Sequence, residues 1–255
     1  MSKGFSLVEL SIVLVILGLL TGGILAGQSL IRAAELRAIS SEYQLIRTSY
    51  FTFRDKYFAY PGDMTNAYDF WGVAAGCTDV NVNTDVNGCN GDGDGNIGGV
   101  ADVAERFRYW QHLALAGLIE GSYTGMAGSG GASHHIGGEN AKRSKIANTA
   151  YGIITLALED YGNTPNIYTG TGASVDFRHM VLGTESSDAM PFGTFLKPEE
   201  AWNIDTKMDD GIPTKGIVKA MANGLYCADD YDTDTAQYDV TLTSTSCNLL
   251  LSMER

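Results

Sequence analysis

FSLVELSIVLVILGLLTGGILAGQSLIRAAELRAISSEYQLIRTSYFTFRDKY, residues 5–57, is one unbroken helical pattern that changes character part-way along. From Leu10 to Ile31 no residue is charged, which is enough apolar length to cross a hydrocarbon core as a helix. After Arg32 the apolar residues Leu36, Ile39, Tyr43, Ile46, Tyr50, Phe53 and Tyr57 recur alternately three and four apart, with Glu35, Arg37, Glu42, Gln44, Arg47 and Arg54 off the stripe. That is one face of an amphipathic helix. Pro61-Gly62 is the expected stop. The pattern predicts a single helix about 80 Å long, apolar all round at first and then docked by its stripe on a globular head. A secretory signal peptide has a shorter apolar core with a small-residue cleavage site behind it. This run is too long and nothing breaks it, so it is expected to be retained.

Inside that run sits Glu9. A carboxylate at mid-membrane costs about 2.5–3.5 kcal/mol on insertion scales. No group within helical reach in its own chain is expected to neutralise it, so its partner is expected outside the chain.

The chain has 255 residues, 31 glycines, five prolines and a net charge of −13. It can bury a substantial core, and no linker divides the part beyond the helix. The acidic balance repels nucleic acid, so direct nucleic-acid binding is not expected, while acidic clusters suit hard cations. Cys77, Cys89, Cys227 and Cys247 all lie beyond the apolar segment. An even count in an exported domain favours disulfides, with three connectivities possible; Cys77–Cys89 and Cys227–Cys247 would close short local loops.

Beyond the first helix, a second is expected from about Ala101 to Ile119, with Phe107, Trp110, Ala114 and Leu118 on one face. Apolar runs at Ala150–Leu158, Val175–Leu182 and Gly216–Met221 read as strands of an antiparallel sheet. Pro198 and Gly211 frame a short helix. His134-His135 are expected to be exposed in a glycine-rich loop, and Trp110 and Trp202 to lie in the core. No nucleophile–base arrangement or catalytic carboxylate pair is legible.

The richest polar stretch is TDVNVNTDVNGCNGDGDGNIGG, Thr78 to Gly99. Asn90, Asp92, Asp94 and Asn96 match the alternation of an EF-hand-like loop, which aims oxygens at one Ca2+. Ala101 replaces the closing glutamate, leaving Asp102 or Glu105 to supply a distant carboxylate. A solvated acidic loop is the competing reading. Asp230, Asp232 and Asp234 form a weaker second series. The G-x-G-x-x-G of Gly93–Gly98 has no strand leading into it and carries Asp94, which would repel a pyrophosphate.

Gly4-Phe5-Ser6-Leu7-Val8-Glu9, leading into the apolar helix, resembles the start of a type IV pilin or type II secretion pseudopilin. Members of that family carry a short basic leader ending in glycine, then phenylalanine, then glutamate at the fifth mature position. The phrases YPGDM (60–64) and WNIDTKMDDGIP (202–213) also resemble stretches of pilin-like proteins. The resemblance implies cleavage after Gly4 by a prepilin peptidase and N-methylation of Phe5. It further implies that the Phe5 ammonium pairs with Glu9 of a neighbouring subunit during assembly, since a paired buried charge is tolerable where an isolated one is not. The bland alternative is a Glu9 that snorkels to the interface. Where the family usually has proline, at the twenty-second mature position, this chain has Ala26 among Gly18, Gly22, Gly23 and Gly27. The glycines allow either a gentler melt or a continuous, closely packing helix.

The expected architecture is α+β: a leader at 1–4, a transmembrane and filament-core helix at 5–58, and a globular head with an antiparallel sheet at 59–255. The implied function is a structural, non-enzymatic subunit of a type IV pilus-like filament. Its partners would be copies of itself, other pilin-like subunits, the prepilin peptidase and the inner membrane, with the head in the periplasm before assembly and in an extracellular or periplasmic filament after. A type II secretion pseudopilin, and a membrane-anchored exported enzyme or binding module with a pilin-like N-terminus, are the other readings.

Overall fold

The computed structural model describes residues 6–72, 89–98, 105–156, 177–187, 189–221, 227–230 and 235–254. Its backbone is α1 (Leu7–Tyr57), α2 (Ala67–Trp71), α3 (Glu105–Leu115), β1 (Lys142–Arg143), β2 (Thr149–Leu156), β3 (Phe177–Thr184), α4 (Pro198–Met208), β4 (Val218–Met221) and β5 (Asn248–Ser252). The class is α+β, a long apolar helix and then a globular part with a five-stranded antiparallel sheet.

α1 is continuous for 51 residues, roughly 75 Å at 1.5 Å per residue. The glycines around Ala26 do not break it, and apart from the helix's own neighbouring backbone nothing in the described chain lies within 4 Å of where a Cβ on any of them would sit. The helix ends at Tyr57, short of Pro61, because Phe58 takes the left-handed conformation (φ 53°) that usually falls to glycine at this cap.

Ile39, Tyr43, Ile46, Tyr50 and Phe53 are buried and Leu36 and Tyr57 half-buried, so the stripe is the docking face. It packs with Tyr109, Trp110 and Leu113 of α3 and with the inner sheet face, Tyr151, Ile153, Met180, Leu182, Leu249 and Leu251. Polar groups on and beside the stripe grip the C-terminal segment in order along the helix. Tyr43 donates to the Ser252 carbonyl (2.6 Å), Arg47 to the Met253 carbonyl (3.2 Å) and Tyr50 to a Glu254 carboxylate oxygen (2.5 Å). Glu42 is buried in the same interface. Its carboxylate accepts from the Ser144 hydroxyl (2.8 Å), the Lys145 N–H (3.0 Å) and the Tyr151 hydroxyl (2.8 Å).

The strand order is β1-β2-β3-β5-β4, every pair antiparallel. The runs expected as strands form β2, β3 and β4. The interior strand β5 (NLLLS), between β3 and β4, is not among them, and the reason is physical. Its neighbours cover it on both sides, and both faces are buried, Leu249 and Leu251 toward α1 and Leu250 with Val181, Met190 and Met221 on the other side. Such a strand shows no alternation.

Two expectations about burial need correction. His135 is fully buried against Phe107 (ring centroids 4.6 Å apart), because the loop folds back on α3. Trp202 is 43 % exposed, since it lies on the outer face of α4; Trp110 is in the core. The Cys227–Cys247 disulfide forms, and Cys89 is disulfide-bonded; Cys77 lies outside the described residues.

Removing an acceptor that serves two buried hydroxyls and a part-buried N–H leaves the buried donors unpaired, at about 1–3 kcal/mol each. Glu42→Ala should therefore cost at least about 2 kcal/mol, and Tyr151→Phe about 1 kcal/mol, in urea unfolding of the full chain in detergent. Equal, small losses would show that the carboxylate is not the anchor.

Candidate functional site

The first site is the N-terminal turn. Ser6 is extended and caps α1: its hydroxyl accepts from the Val8 N–H (3.3 Å), while its own N–H donates to Glu9 Oε2 (2.8 Å). This reciprocal pair is a capping box. The carboxylate thereby has a hydrogen-bond partner in its own chain, an orphan backbone donor, and it lies in the first turn, where the helix dipole favours negative charge, but neither is a counter-charge. No cation reaches it among the described residues. The signal was present as Ser6-x-x-Glu9, the spacing that defines such a box. Gly4 and Phe5 lie outside the described residues. Ser6, immediately after Phe5, is thus held by the carboxylate expected to meet a neighbour's mature amino terminus.

The second site is assembled around Tyr60–Met64. Gly62 has φ 94°, and a Cβ there would meet the Glu105 carbonyl at 2.6 Å; at Gly91 a Cβ would meet the Asp63 backbone at 2.4 Å. Only glycine allows both approaches. The Gly62 N–H donates to His112 Nδ1 (2.9 Å), and the other ring nitrogen, Nε2, donates to the Cys89 carbonyl (2.7 Å), so the partners define a neutral tautomer. Arg108 donates to the Asn90 carbonyl (2.6 Å), and Arg178 donates to the Gly95 carbonyl while stacking over Tyr60. Residues 89–98 are thereby clamped to the body of the head, contrary to the reading of a merely solvated loop.

The Asp63 carboxylate accepts from the N–H groups of Gly93 (2.7 Å) and Gly95 (3.1 Å); that of Glu105 accepts from Asp92 (3.0 Å) and Gly98 (3.5 Å). One carboxylate oxygen from each of Asp63, Asp92, Asp94 and Glu105 then lies within 4.8 Å of the others. Burial first, and neighbouring carboxylates after it, push Asp63 up to about 6 and Glu105 up to about 8, against the opposing pull of their backbone hydrogen bonds. A cleft of about 790 Å³ lined by Arg54, Tyr60, Asp63, Thr65, Gly93 and Gly95 opens beside the cluster.

Of the six residues the spacing singled out, the fold gathers Asp92, Asp94 and Glu105. Asn90 is buried and its side-chain oxygen accepts from the Tyr68 N–H (2.8 Å), while the Asn96 amide donates to Asp94 (2.9 Å). Asp102 lies outside the described residues, as do Asp232 and Asp234 of the second series. The residue missed was Asp63, because no spacing rule connects YPGDM to a loop that far along the chain. Another acidic group, Asp205, Asp209 and Asp210, belongs to WNIDTKMDDGIP. There Asp205 clasps α4 to the C-terminal segment, accepting from the Gly211 N–H (3.1 Å) and the Tyr238 hydroxyl (2.9 Å).

Residues 1–25 match a family model described as the prokaryotic N-terminal methylation motif, the signal carried by type IV pilins and pseudopilins. No curated protein and no solved structure matches the chain.

Burial, chiefly, lowers His112 from 6.5 to about 4. Between those values the unfolded chain binds more protons than the folded one, so stability rises with pH. The stabilisation is complete above about 6.5 and is lost as pH falls to about 4. The stability gap between the wild type and His112→Gln should widen across that window in urea titrations and be constant above it. A pH-independent gap would refute the neutral clamp.

Proposed function

We propose that this chain is a structural subunit of a type IV pilus-like filament, drawn from the inner membrane through α1. The observation that carries the reading is the methylation motif at residues 1–25 running directly into a single helix, apolar and exposed in its first half and docked in its second. The motif implies processing by a prepilin peptidase and assembly with pilin-like subunits, and the apolar helix suits membrane anchoring beforehand. In the filament the apolar halves would bundle as a core, and the heads would coat it. Glu9 would exchange the Ser6 N–H of its own turn for the Phe5 ammonium of a neighbour, trading a neutral donor for a charge-assisted pair. Catalysis plays no part in this reading.

Processing and Glu9 can be tested together. Mass spectrometry of native filaments should show loss of Met1–Gly4 and one added methyl on Phe5; an intact leader there would sink the assignment. Glu9→Val should insert and fold normally but fail to assemble. Normal filaments from Glu9→Val would restore the snorkelling reading. Filaments found only when a secretion apparatus is overproduced would make the chain a pseudopilin.

As part of the same proposal, the head holds a divalent cation, Ca2+ by its all-oxygen donors. Asp63, Asp92, Asp94 and Glu105 are the side chains that would hold it, with the adjoining cleft as the way in. The residues fit in one specific respect. Two of the four carboxylates are buried and pushed up by burial and mutual repulsion, a cost that a bound cation removes. The ion would serve structure, cross-linking the turn after α1 to α3. Calcium at 100 times its dissociation constant should stabilise the head by about 2.7 kcal/mol, read as a higher melting temperature than in EDTA. Asp63→Asn, or Asp92→Asn with Asp94→Asn, should abolish that difference, whereas Asn96→Ala should not. Identical melting with and without calcium in the wild type would refute the site.

A further inference from the structure

Where α1 leaves its apolar half it meets α4. Arg32, the first charge after Leu10–Ile31, is bidentate to Glu200 (2.7 and 2.8 Å), donates to the Phe195 carbonyl (3.1 Å) and also holds Glu35 (3.2 Å). One guanidinium is therefore shared between an acidic side chain of each helix at this level. Immediately beyond it, α1 and α4 leave a cleft of about 460 Å³ between them. Its polar walls are Arg37, Ser40, Asn203 and Lys207, and its apolar ones Leu36, Ile204 and Met208; no carboxylate lines it among the described residues. Arg37 and Lys207 are exposed, and neither enters an ion pair among the described residues. In a chain of net charge −13, two such cations on one cleft form a local exception.

The height of this cleft identifies what it faces. Arg37 is six residues beyond Ile31, about 9 Å along the helix axis. A headgroup layer is roughly 5–8 Å deep on each side of the hydrocarbon core, and helical side chains tilt toward the N-terminus, which for α1 is the membrane side. Arg and Lys stems also bridge apolar and polar layers readily. An occupant must therefore be anionic at its polar end, apolar below it, and available at the membrane surface.

We propose that the α1–α4 cleft binds the headgroup of an anionic phospholipid in the leaflet facing the head, with Arg37 and Lys207 holding its phosphate. Leu36, Ile204 and Met208 cover the glycerol end, and the acyl chains run down the bare first half of α1. Because the body of the protein is acidic, this contact offsets repulsion between the head and an anionic membrane. It fixes the rotation of the head before assembly, and extraction into a filament exchanges it for subunit contacts. The inference rests on the membrane-anchored reading of α1.

The test uses the purified full chain in nanodiscs containing equal phosphatidylcholine and phosphatidylglycerol of matched acyl chains. Lipids retained after gentle release are counted by native mass spectrometry. Phosphatidylglycerol should be retained over phosphatidylcholine, and the preference should weaken with salt. Each cation near an anionic surface is worth about fivefold in affinity, so Arg37→Ala with Lys207→Ala should lower the preference about 25-fold. Lys56→Ala, at the far end of α1, should leave it unchanged. Both cleft positions are exposed, so melting temperatures of the variants report intact folding. A chain that inserts but shows no preference, or keeps it in the double variant, overturns the inference while the anchor stands. Salt-sensitive self-association in phosphatidylcholine alone, lost in the double variant, would assign the cleft to a second copy and also overturn it. A wild type that does not co-float with phosphatidylcholine vesicles would refute the anchor reading itself.

Discussion

Docking of the Ile39–Phe53 face of α1 removes five large side chains from water against two other layers of the head, α3 and the sheet. That burial is the largest apolar commitment α1 makes, and the rest of the head is arranged to complete it. β5 lies in the interior of the sheet, between β3 and β4, with its C-terminal end running beside Tyr43, Arg47 and Tyr50. Glu42 sits at the margin of the same face, where three donors make a buried carboxylate tolerable. Separating helix from head would expose both the apolar face and those polar groups. A force applied to the bare half of α1 is thus transmitted to a packed interface instead of to a flexible joint, as a filament subunit requires.

The turn at Tyr60–Met64 is the second organising point, and its physics is electrostatic. Gly62 and Gly91 let three backbone segments approach more closely than any side chain would permit. Asp63 and Glu105 then accept N–H groups from the encircling loop. The arrangement satisfies the loop's donors but crowds four carboxylates together. Such a cluster is stable only if protons or a cation relieve the repulsion. His112 contributes by staying neutral, donating on one side and accepting on the other.

The two halves of α1 answer to different surroundings. The upper half has its partner within the chain, whereas Leu7 to Ile31 has none among the described residues. Glu9 is already used by its own first turn through Oε2, which leaves its other oxygen open to a further donor. A weak internal hydrogen bond keeps the carboxylate in position without holding it against a stronger charged partner. Arg32 marks the border between the two regimes by taking up Glu35 and Glu200 together.

Patterns that depend only on neighbours along one helix or strand were legible in the sequence. The three-four spacing from Leu36 to Tyr57 and the apolar run before Arg32 carry their periodicity with them, while Pro198 marks the start of α4 and apolar, β-branched runs mark β2, β3 and β4 by composition. The methylation motif is likewise read as a linear string. Contacts between distant segments were not legible. β5 lacks alternation because both its faces are covered, and that covering exists only in the folded sheet. Asp63 joins Asp92, Asp94 and Glu105 only because glycines at 62 and 91 allow the turn and the loop to touch. Asn90 and Asn96 had the right spacing for a cation, but nearby donors and acceptors engage their side chains. Linear spacing determines which face a side chain occupies; which faces meet, and which polar groups already have partners when they do, is decided by packing in three dimensions.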